Sequence, residues 1–477
     1  MKITVRKLRE SDIDLKIKWI NNEKNNQYLH YELPLEKNKT IEWFNKIKEN
    51  HYRYDGIIEF SGIPVGLIGL LSITNKKAEY YILLGEEEYK RKGIAKKASL
   101  ELLNKAFFDY QVEYVYLYTE CENKIAQKLF EKLGFKIEGV EKNKVLNRGK
   151  YVDRFYYILS KEDYFKNVFP TFNTPLYQFE KGDNNYFIKR DDLIPFSFGG
   201  NKARKAFLFF EEITKGNYDC VVTYGSSSSN HCRIISNLAM KHNISCYIIS
   251  PEEGFKNTYN NKLIKILGAK IILTSIEFVH ETIDNTLNTL KNEGHNPYFI
   301  EGGGHGNIGT QAMVGCYKEI YEFERLNNLK FDYIFFASGT GTTQAGLLSG
   351  KLLFCDEAKL IGISIARKIP RGRNIIIESI KNYLNSICIK YSDDFIEHET
   401  EFVDSYIEGQ YGLSSREIFE SIKHVFCEYG IPLDSTYTGK AFLGMLHYVK
   451  EKKIKDKNIL FLHTGGTPLF FNDLEEV

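Results

Sequence analysis

Residues 189–205, KRDDLIPFSFGGNKARK, mark the change from an extended run to a helix, with two glycines and an asparagine directly before Lys202. A lysine amine at such a place can form an imine with an aldehyde cofactor, provided that the same fold also holds a phosphate group. A lone lysine after Gly-Asn usually belongs to a solvated surface. The prediction for Lys202 therefore depends on the motifs found along the rest of the chain.

The pattern around this stretch predicts an α/β fold in two parts. From about residue 168 to the C-terminus, short β-branched or aromatic runs alternate with helical stretches, which is typical of a parallel sheet with crossover helices. A separate alternation of strands and helices ends near residue 160. We therefore predict two domains, residues 1–167 and 168–477, each able to fold alone.

A phosphate site is predicted at residues 331–350, FDYIFFASGTGTTQAGLLSG, which reads as a buried strand, a Gly/Thr-rich loop and a helix. Backbone amides and hydroxyl groups at a helix start bind one phosphate group well. Gln344 stands where a dinucleotide fingerprint needs its third glycine. The candidate phosphate-binding residues are Gly339, Thr340, Gly341, Thr342 and Thr343.

Polar residues also follow two other predicted strands. The stretch YGSSSSNHCR, residues 224–233, carries Ser229 and Asn230, and ILFLHTGGTP, residues 459–468, carries Thr464. In α/β sheets, ligands bind at the carboxyl ends of the strands. These three residues are therefore candidates for the site that would contain Lys202.

From about Thr174 to the C-terminus, these motifs occur in the order found in the second fold type of pyridoxal-phosphate enzymes, and the chain resembles the family of D-cysteine desulfhydrase and 1-aminocyclopropane-1-carboxylate deaminase. The resemblance implies pyridoxal 5'-phosphate as cofactor, a small amino acid as substrate, and a homodimer. It makes Lys202 the Schiff-base residue and Ser229 and Asn230 the ligands of the substrate carboxylate and a cofactor oxygen. The other implied residues are Asn201 beside the lysine, Thr464 opposite the ring nitrogen, and the active-site tyrosines Tyr411 and Tyr437.

The residue after the second tyrosine indicates the reaction. The ring-opening deaminases are associated with glutamate there, whereas Thr438 favours a desulfhydrase-like β-elimination. Ser228 replaces the glutamine that is usual in this family, so the substrate need not be D-cysteine. Racemisation needs the same groups, with Tyr437 on one face of the substrate and Lys202 or Ser229 on the other, and stays open. A binding or scaffolding role for one half is the remaining alternative.

In the N-terminal half, a strand followed by KRKGIA, residues 90–95, leads into a strongly helical segment. Small residues at a helix start expose its amide groups to a phosphate chain, and the neighbouring cations add attraction. The predicted pyrophosphate site consists of Lys90, Arg91, Lys92, Gly93 and Ala95.

This stretch resembles the pyrophosphate loop of the GNAT acetyltransferases. The second motif of that superfamily matches at residues 122–139, ENKIAQKLFEKLGFKIEG, with Asn123 in register. The resemblance covers about residues 1–165 and implies acetyl-CoA as cosubstrate and an amine as acceptor. Phe130 departs from it, because many members have a tyrosine there whose hydroxyl protonates the departing thiolate.

The composition of the chain argues against several other classes of function. Lys and Arg total 64 against 62 Asp and Glu, so no long-range field would attract nucleic acid. The N-terminus lacks the apolar run of a signal peptide, and no window is long enough to cross a bilayer, which predicts a cytoplasmic protein without membrane attachment. The eight cysteines form no CxxC pair, which favours reduced thiols and predicts no metal site.

Overall fold

The computed structural model describes residues 3–226, 228–253, 255–387, 389–406 and 412–476. The chain divides into two compact units, one of residues 1–168 with 387–390 and one of residues 169–386 with 391–477. Independent folding of fragments 1–167 and 168–477 stays a prediction.

The first unit has seven strands and six helices among the described residues. The strands are β1 (Ile3–Lys7), β2 (Tyr54–Phe60), β3 (Ile63–Leu71), β4 (Lys77–Leu84), β5 (Tyr114–Glu120), β6 (Lys136–Asn147) and β7 (Lys150–Ser160). The helices are α1 (Ile13–Asn21), α2 (Glu23–Asn26), α3 (Lys37–Ile47), α4 (Ile94–Asn104), α5 (Lys124–Leu133) and α6 (Lys161–Val168).

These strands form one sheet in the order β1-β2-β3-β4-β5-β7-β6. Neighbours pair antiparallel except β4 and β5, which pair in parallel. The apolar side chains in the middle of β3 are buried, namely Val65, Leu67, Ile68 and Leu70, as expected for a strand inside a covered sheet.

In the second unit, the elements up to residue 300 are β8 (Leu176–Lys181), β9 (Asn185–Arg190), α7 (Asn201–Lys215), β10 (Cys220–Tyr224), α8 (Asn230–Lys241), β11 (Ser245–Pro251), α9 (Tyr259–Ile266), β12 (Lys270–Thr274), α10 (Val279–Asn292) and β13 (Pro297–Ile300). They are followed by α11 (Asn307–Asn327), β14 (Tyr333–Ser338), α12 (Thr342–Phe354), β15 (Lys359–Ser364), α13 (Arg371–Ser386), α14 (Asp393–Glu399), β16 (Glu401–Val403), α15 (Arg416–Tyr429), α16 (Thr438–Glu451), β17 (Asn458–His463) and α17 (Thr467–Asp473).

Two sheets organise this unit. Four parallel strands lie in the order β12-β11-β10-β13, and six lie in the order β16-β15-β14-β17-β9-β8, where only β8 and β9 pair antiparallel. The mixed α/β architecture with parallel sheets and crossover helices confirms the predicted fold class. None of the described helices combines the length and the apolarity needed to cross a membrane.

Close packing of α11 and α12 sets the position of the loop between β14 and α12. A Cβ atom on Gly346 would lie 2.4 Å from the Cβ of Met313, and one on Gly350 would lie 2.5 Å from the Cβ of Tyr317. The two helices can approach this closely only because α12 carries glycine at both positions. α12 is buried along its whole length, so its N-terminus is held firmly in the core.

Candidate active sites

The second unit holds a cavity of about 260 Å³ at the carboxyl ends of five strands, β10, β13, β14, β15 and β17. Most of the predicted residues meet there: Asn201, Lys202, Ser229, Asn230, Gly339, Thr340, Thr343, Tyr437 and Thr464 line it. Gly341 and Thr342 lie in the same loop without lining the cavity, and Tyr411 lies outside the described residues. Strand ends of this kind are the usual ligand sites of α/β proteins.

Lys202 lies in the first turn of α7, and its Nζ donates a hydrogen bond to the carbonyl oxygen of Gly303 at 3.0 Å. Burial lowers the pKa of Lys202 to about 8, because an ammonium ion loses its hydration there. A larger fraction of this amine is therefore neutral near pH 7 than for a lysine in water, and the neutral amine is the nucleophilic form.

A second lysine, Lys205, lies one helical turn further and was not predicted from the sequence. Its side chain is fully buried, and Nζ lies 3.2 Å from Oγ1 of Thr343. Burial and the neighbouring Lys202 hold the pKa of Lys205 well below its ordinary value. Asn201 also donates to Thr343 Oγ1, at 2.8 Å, so the start of α7 contacts the Gly/Thr-rich loop directly.

The loop of residues 339–343 connects β14 to α12 and includes the first two residues of that helix, Thr342 and Thr343. Gly341 has φ of +96°, a left-handed conformation that favours glycine. The first N–H groups of the 13-residue helix α12 have no acceptor within the helix, and they lie at the positive end of its dipole. The loop thus has the features that bind a phosphate group.

Ser229 and Asn230 stand at the N-terminus of α8. Ser229 caps the helix, because its Oγ accepts the backbone N–H of Cys232 at 3.2 Å. The side-chain oxygen of Asn230 accepts from Nδ2 of Asn260 at 2.9 Å. This contact fixes the orientation of the Asn230 amide and leaves its NH₂ group as a donor towards a ligand.

His231, for which the sequence indicated no role, also lines the cavity. The hydroxyl of Thr223 donates to the carbonyl of Ile300 at 2.7 Å, so the 2.9 Å contact between Thr223 Oγ1 and His231 Nε2 requires the proton on Nε2. Burial holds the pKa of His231 well below its ordinary value. Its Nδ1 is then a buried acceptor, and no residue in the described part of the chain donates to it.

Tyr437 precedes α16 and is held by Asp434, whose side chain is fully buried. Oδ1 of Asp434 accepts the backbone N–H of Tyr437 at 2.8 Å, and Oδ2 accepts the hydroxyl of Thr438 at 2.8 Å. Burial raises the pKa of Asp434 to about 7. Thr464 connects this side of the cavity to α7, since its carbonyl accepts the N–H of Asn201 at 3.0 Å.

In the first unit, the strands β4 and β5 diverge. Lys77 pairs with Tyr114, and the pairing ends two residues later, where Glu79 lies opposite Tyr116. Beyond this point β4 continues to Leu84 and β5 to Glu120. Backbone groups of a strand need partners, so the diverging ends offer a slot in which an extended ligand can pair with the chain.

The predicted pyrophosphate residues lie in the turn that enters α4 and in its first turn. Gly93 caps α4 with φ of +76°, and a Cβ there would meet nothing within 4 Å. Lys90 already bonds to Asn25 and Glu87, while the Lys92 amine lies 5.6 Å from the centre of the Tyr89 ring. Asn123 caps α5, because its Oδ1 accepts the N–H of Ala126 at 3.3 Å.

Phe130 is buried in an aromatic cluster. Its ring centre lies 6.1 Å from that of Tyr80 and 5.9 Å from that of Tyr157. The hydroxyl of Tyr157 is buried and has no hydrogen-bond partner among the residues described. The ring of Tyr157, which β7 contributes, thus packs against Phe130, although the sequence indicated no motif in that strand.

A cavity of about 370 Å³ in the first unit lies between the loop after α2 and the β6–β7 hairpin. His30 lines it, and its Nε2 lies 2.8 Å from Oε1 of Glu120, the last residue of β5. Asn147, on the hairpin, donates to the same carboxylate. The buried Glu120 therefore links the diverging end of β5 to this cavity, which the motifs did not indicate.

Within the described part of the chain, one cluster of side chains could hold a metal ion, whereas the sequence predicts no metal site. Ligand atoms of Asp219, Cys220 and His295 lie within 4.8 Å of one another, at the amino ends of β10 and β13. Asp219 and His295 already bond to each other at 3.0 Å. This pairing gives the two side chains a reason to be close without an ion.

Comparison with known proteins shows two matches along the chain. Residues 169–465 match the family model described as "Pyridoxal-phosphate dependent enzyme", and residues 2–136 match "Acetyltransferase (GNAT) domain". The D-cysteine desulfhydrase of Serratia proteamaculans is 30% identical over 293 residues, 60% of this chain and 87% of the relative. That of Yersinia enterocolitica is 29% identical over the same shares. A crystal structure of an ACC deaminase homologue has 30% identity and a TM-score of 0.58, covering 65% of this chain and 94% of the other.

Proposed function

We propose that the C-terminal unit catalyses β-elimination on a small amino acid. The chain belongs to the pyridoxal-phosphate-dependent enzymes and carries a GNAT acetyltransferase domain ahead of that region. The N-terminal unit would transfer an acetyl group to an amine. The cofactors are pyridoxal 5'-phosphate and acetyl-CoA. A homodimer stays a prediction.

The observation that carries the first proposal is the pair of lysines at the start of α7, of which Lys202 lines the cavity and Lys205 contacts Thr343. Lys202 and Lys205 lie together beside the loop of residues 339–343, and neither has a carboxylate within ion-pair distance among the described residues. Without an acid beside them, both amines have a lowered pKa, and a bound anion would favour the protonated form of Lys205 again. An aldehyde for Lys202 and a phosphate for Lys205 and the loop would satisfy both.

When bound, pyridoxal phosphate supplies the aldehyde that takes the substrate amine and the ring that accepts the electron pair released at the α-carbon. The residues of this chain would divide the remaining work. Ser229 and Asn230 would bind the substrate carboxylate at the N-terminus of α8, where N–H groups and the dipole favour an anion. The amine of Lys202, with its pKa near 8, would take the α-proton onto Nζ. The hydroxyl of Thr464 would face the ring nitrogen.

Tyr437→Phe is expected to lower the rate of pyruvate formation from D-cysteine or β-chloro-D-alanine by about a hundredfold, if the hydroxyl transfers a proton. The measurement is steady-state kinetics of pyruvate release. Tyr448→Phe is a control, since that tyrosine lies on α16, the helix that Tyr437 precedes, and its hydroxyl bonds to Glu401 away from the cavity. Equal rates for Tyr437→Phe and the unaltered enzyme would exclude a proton-transfer role.

Elimination and racemisation are separated by one further assay. Elimination gives pyruvate and ammonia, because a good leaving group departs faster than the α-carbon is reprotonated. An enzyme that exchanges the α-proton in heavy water and yields both enantiomers without pyruvate would be a racemase, which uses the same residues.

For the N-terminal unit, the slot between β4 and β5 and the start of α4 support binding of acetyl-CoA, with the pyrophosphate at Gly93 and its neighbours. The cavity at His30 would receive the acceptor amine. The His30–Glu120 pair lies beside this cavity, with 2.8 Å between its nitrogen and oxygen, and would be the acceptor of the proton that the amine loses. Acetylation of a panel of amines, followed by mass spectrometry, tests this assignment.

Gly93→Val is expected to weaken acetyl-CoA binding about tenfold or more. A β-branched residue is strained at φ of +76°, and its side chain would occupy the open space that the phosphates need. Gly62→Val is the matched control, because Gly62 has φ of +84° and equally open surroundings in the β2–β3 turn. The measurement is the calorimetric affinity of both variants for acetyl-CoA. An unchanged affinity of Gly93→Val would contradict the assignment of the pyrophosphate site.

A further inference from the structure

A second cavity of the C-terminal unit, of about 250 Å³, adjoins the one that contains Lys202. The two share four lining residues, Tyr224, Gly302, Thr340 and Arg367. A substrate whose α-carbon lies at Lys202 could therefore extend into this second space, which we call the outer chamber.

Arg367, which follows β15, is the cation at the junction. Its Nη1 donates to the carbonyl of Thr340 at 2.9 Å, and no carboxylate of the described residues lies within 4.0 Å of it. The guanidinium is partly buried, and desolvation together with nearby Arg371 lowers the pKa of Arg367. A guanidinium in this position keeps most of its five N–H donors for a ligand, and a carboxylate matches their geometry best.

The mouth of the outer chamber has the opposite charge. Exposed Glu301 and Glu378 line it, and Ser379 and Asn382 add hydrogen-bonding groups. A ligand carrying only a negative group would gain from Arg367 but would be repelled by two carboxylates. A ligand end that carries both a carboxylate and an ammonium group would be favoured by both sides of the chamber.

We propose that the substrate is a thioether that joins two amino acids, so that its leaving group is an amino-acid thiol rather than sulfide. This proposal rests on the β-elimination proposed above. The distal carboxylate would bind Arg367, and the distal ammonium would lie near Glu301 and Glu378. In the reaction the α-proton leaves, the Cβ–S bond breaks with its electron pair on sulfur, and the thiolate takes up a proton. Water then hydrolyses the released enamine to pyruvate and ammonia.

The test compares four thioethers of similar length. Meso-lanthionine has a zwitterionic end, S-(2-carboxyethyl)cysteine an anionic one, S-(2-aminoethyl)cysteine a cationic one, and S-propylcysteine a neutral one. We expect the kcat/KM for lanthionine to exceed that for S-propylcysteine at least about tenfold, and calorimetric affinities to follow the same order. Similar values for these two compounds in both measurements would overturn the proposal.

Arg367→Gln is expected to lower the lanthionine to S-propylcysteine ratio by about ten- to a hundredfold, the usual effect of losing hydrogen bonds to a charged group. Glu378→Gln should lower the kcat/KM for lanthionine relative to that for S-propylcysteine. The same variant should raise the kcat/KM for the anionic thioether, S-(2-carboxyethyl)cysteine, relative to that for S-propylcysteine. Arg371→Gln is the matched control, because Arg371 loses the same charge nearby but lines neither cavity.

The cofactor phosphate is another anion that could use Arg367. If Arg367→Gln weakens binding of pyridoxal phosphate and slows all four thioethers equally, the guanidinium serves the cofactor and the proposal fails. Pyruvate formation from β-chloro-D-alanine, which has no distal group, reports the elimination reaction separately. If no pyruvate forms from β-chloro-D-alanine, the proposed β-elimination is rejected. The calorimetric affinities of the four thioethers would still test whether the outer chamber prefers a zwitterionic end.

Discussion

Lys202→Ala is expected to abolish both the visible absorption of bound pyridoxal phosphate and measurable pyruvate formation. The variant lacks the amine that holds the cofactor aldehyde and the group placed to take the α-proton. Loss of a general base alone lowers rates by up to about 10⁴-fold, and loss of the cofactor linkage adds to it. Absorption spectra and a pyruvate assay on the purified variant measure the two effects separately.

Lys215→Ala is the control for this experiment, since Lys215 lies at the other end of α7 and its side chain is exposed. It should keep the absorption and the activity. The rate at which the apoprotein takes up the cofactor should rise with pH and level off above about 8, because burial lowers the pKa of the Lys202 amine and the neutral form reacts. A coloured, active Lys202→Ala enzyme would refute the assignment.

The second large effect is expected at Arg204, two residues after Lys202. Arg204 is fully buried and bonds to Asp191 at 2.6 Å and to Glu319 at 2.7 Å, while Lys189 bonds to Glu319 at 2.6 Å. The two cations balance the two carboxylates. Thr174 contributes a hydroxyl to the same network, and the guanidinium lies 5.2 Å from the centre of the Phe172 ring.

Arg204→Met should lower the free energy of unfolding by about 3–5 kcal/mol, because it leaves two buried carboxylates with one cation. Methionine keeps much of the side-chain volume, so lost packing contributes little. The measurement is urea unfolding followed by the loss of cofactor absorption, which reports the C-terminal unit alone.

Arg416→Met is the matched control, because both side chains of the Arg416–Glu420 pair are exposed. Exposed ion pairs contribute up to about 1 kcal/mol, so its unfolding midpoint should shift little. If Arg204→Met and Arg416→Met unfold at the same urea concentration, the buried network does not stabilise the start of α7. Glu319→Gln provides a milder change should Arg204→Met fail to fold.

The local arrangement of the C-terminal site could be predicted from sequence because it depends on short segments. Glycine at positions 200 and 341 permits backbone conformations that other residues resist, and each precedes a helix with strong helix formers. The strand, loop and helix at residues 331–350 and the helix start at Lys202 were therefore predicted correctly. The order of such segments along the chain was enough to indicate both families.

Burial, pairing and charge balance were decided only by the tertiary structure. Lys205 contacts Thr343, 138 positions away in the sequence, and this distant loop is what removes its amine from water. Nε2 of His231 carries the proton because the Thr223 hydroxyl already donates to the carbonyl of Ile300. Arg367 contacts the carbonyl of Thr340 rather than an acid because the fold brings the ends of β14 and β15 together. Local propensity acts over a few residues, whereas desolvation and electrostatic pairing depend on groups that only the folded chain brings together.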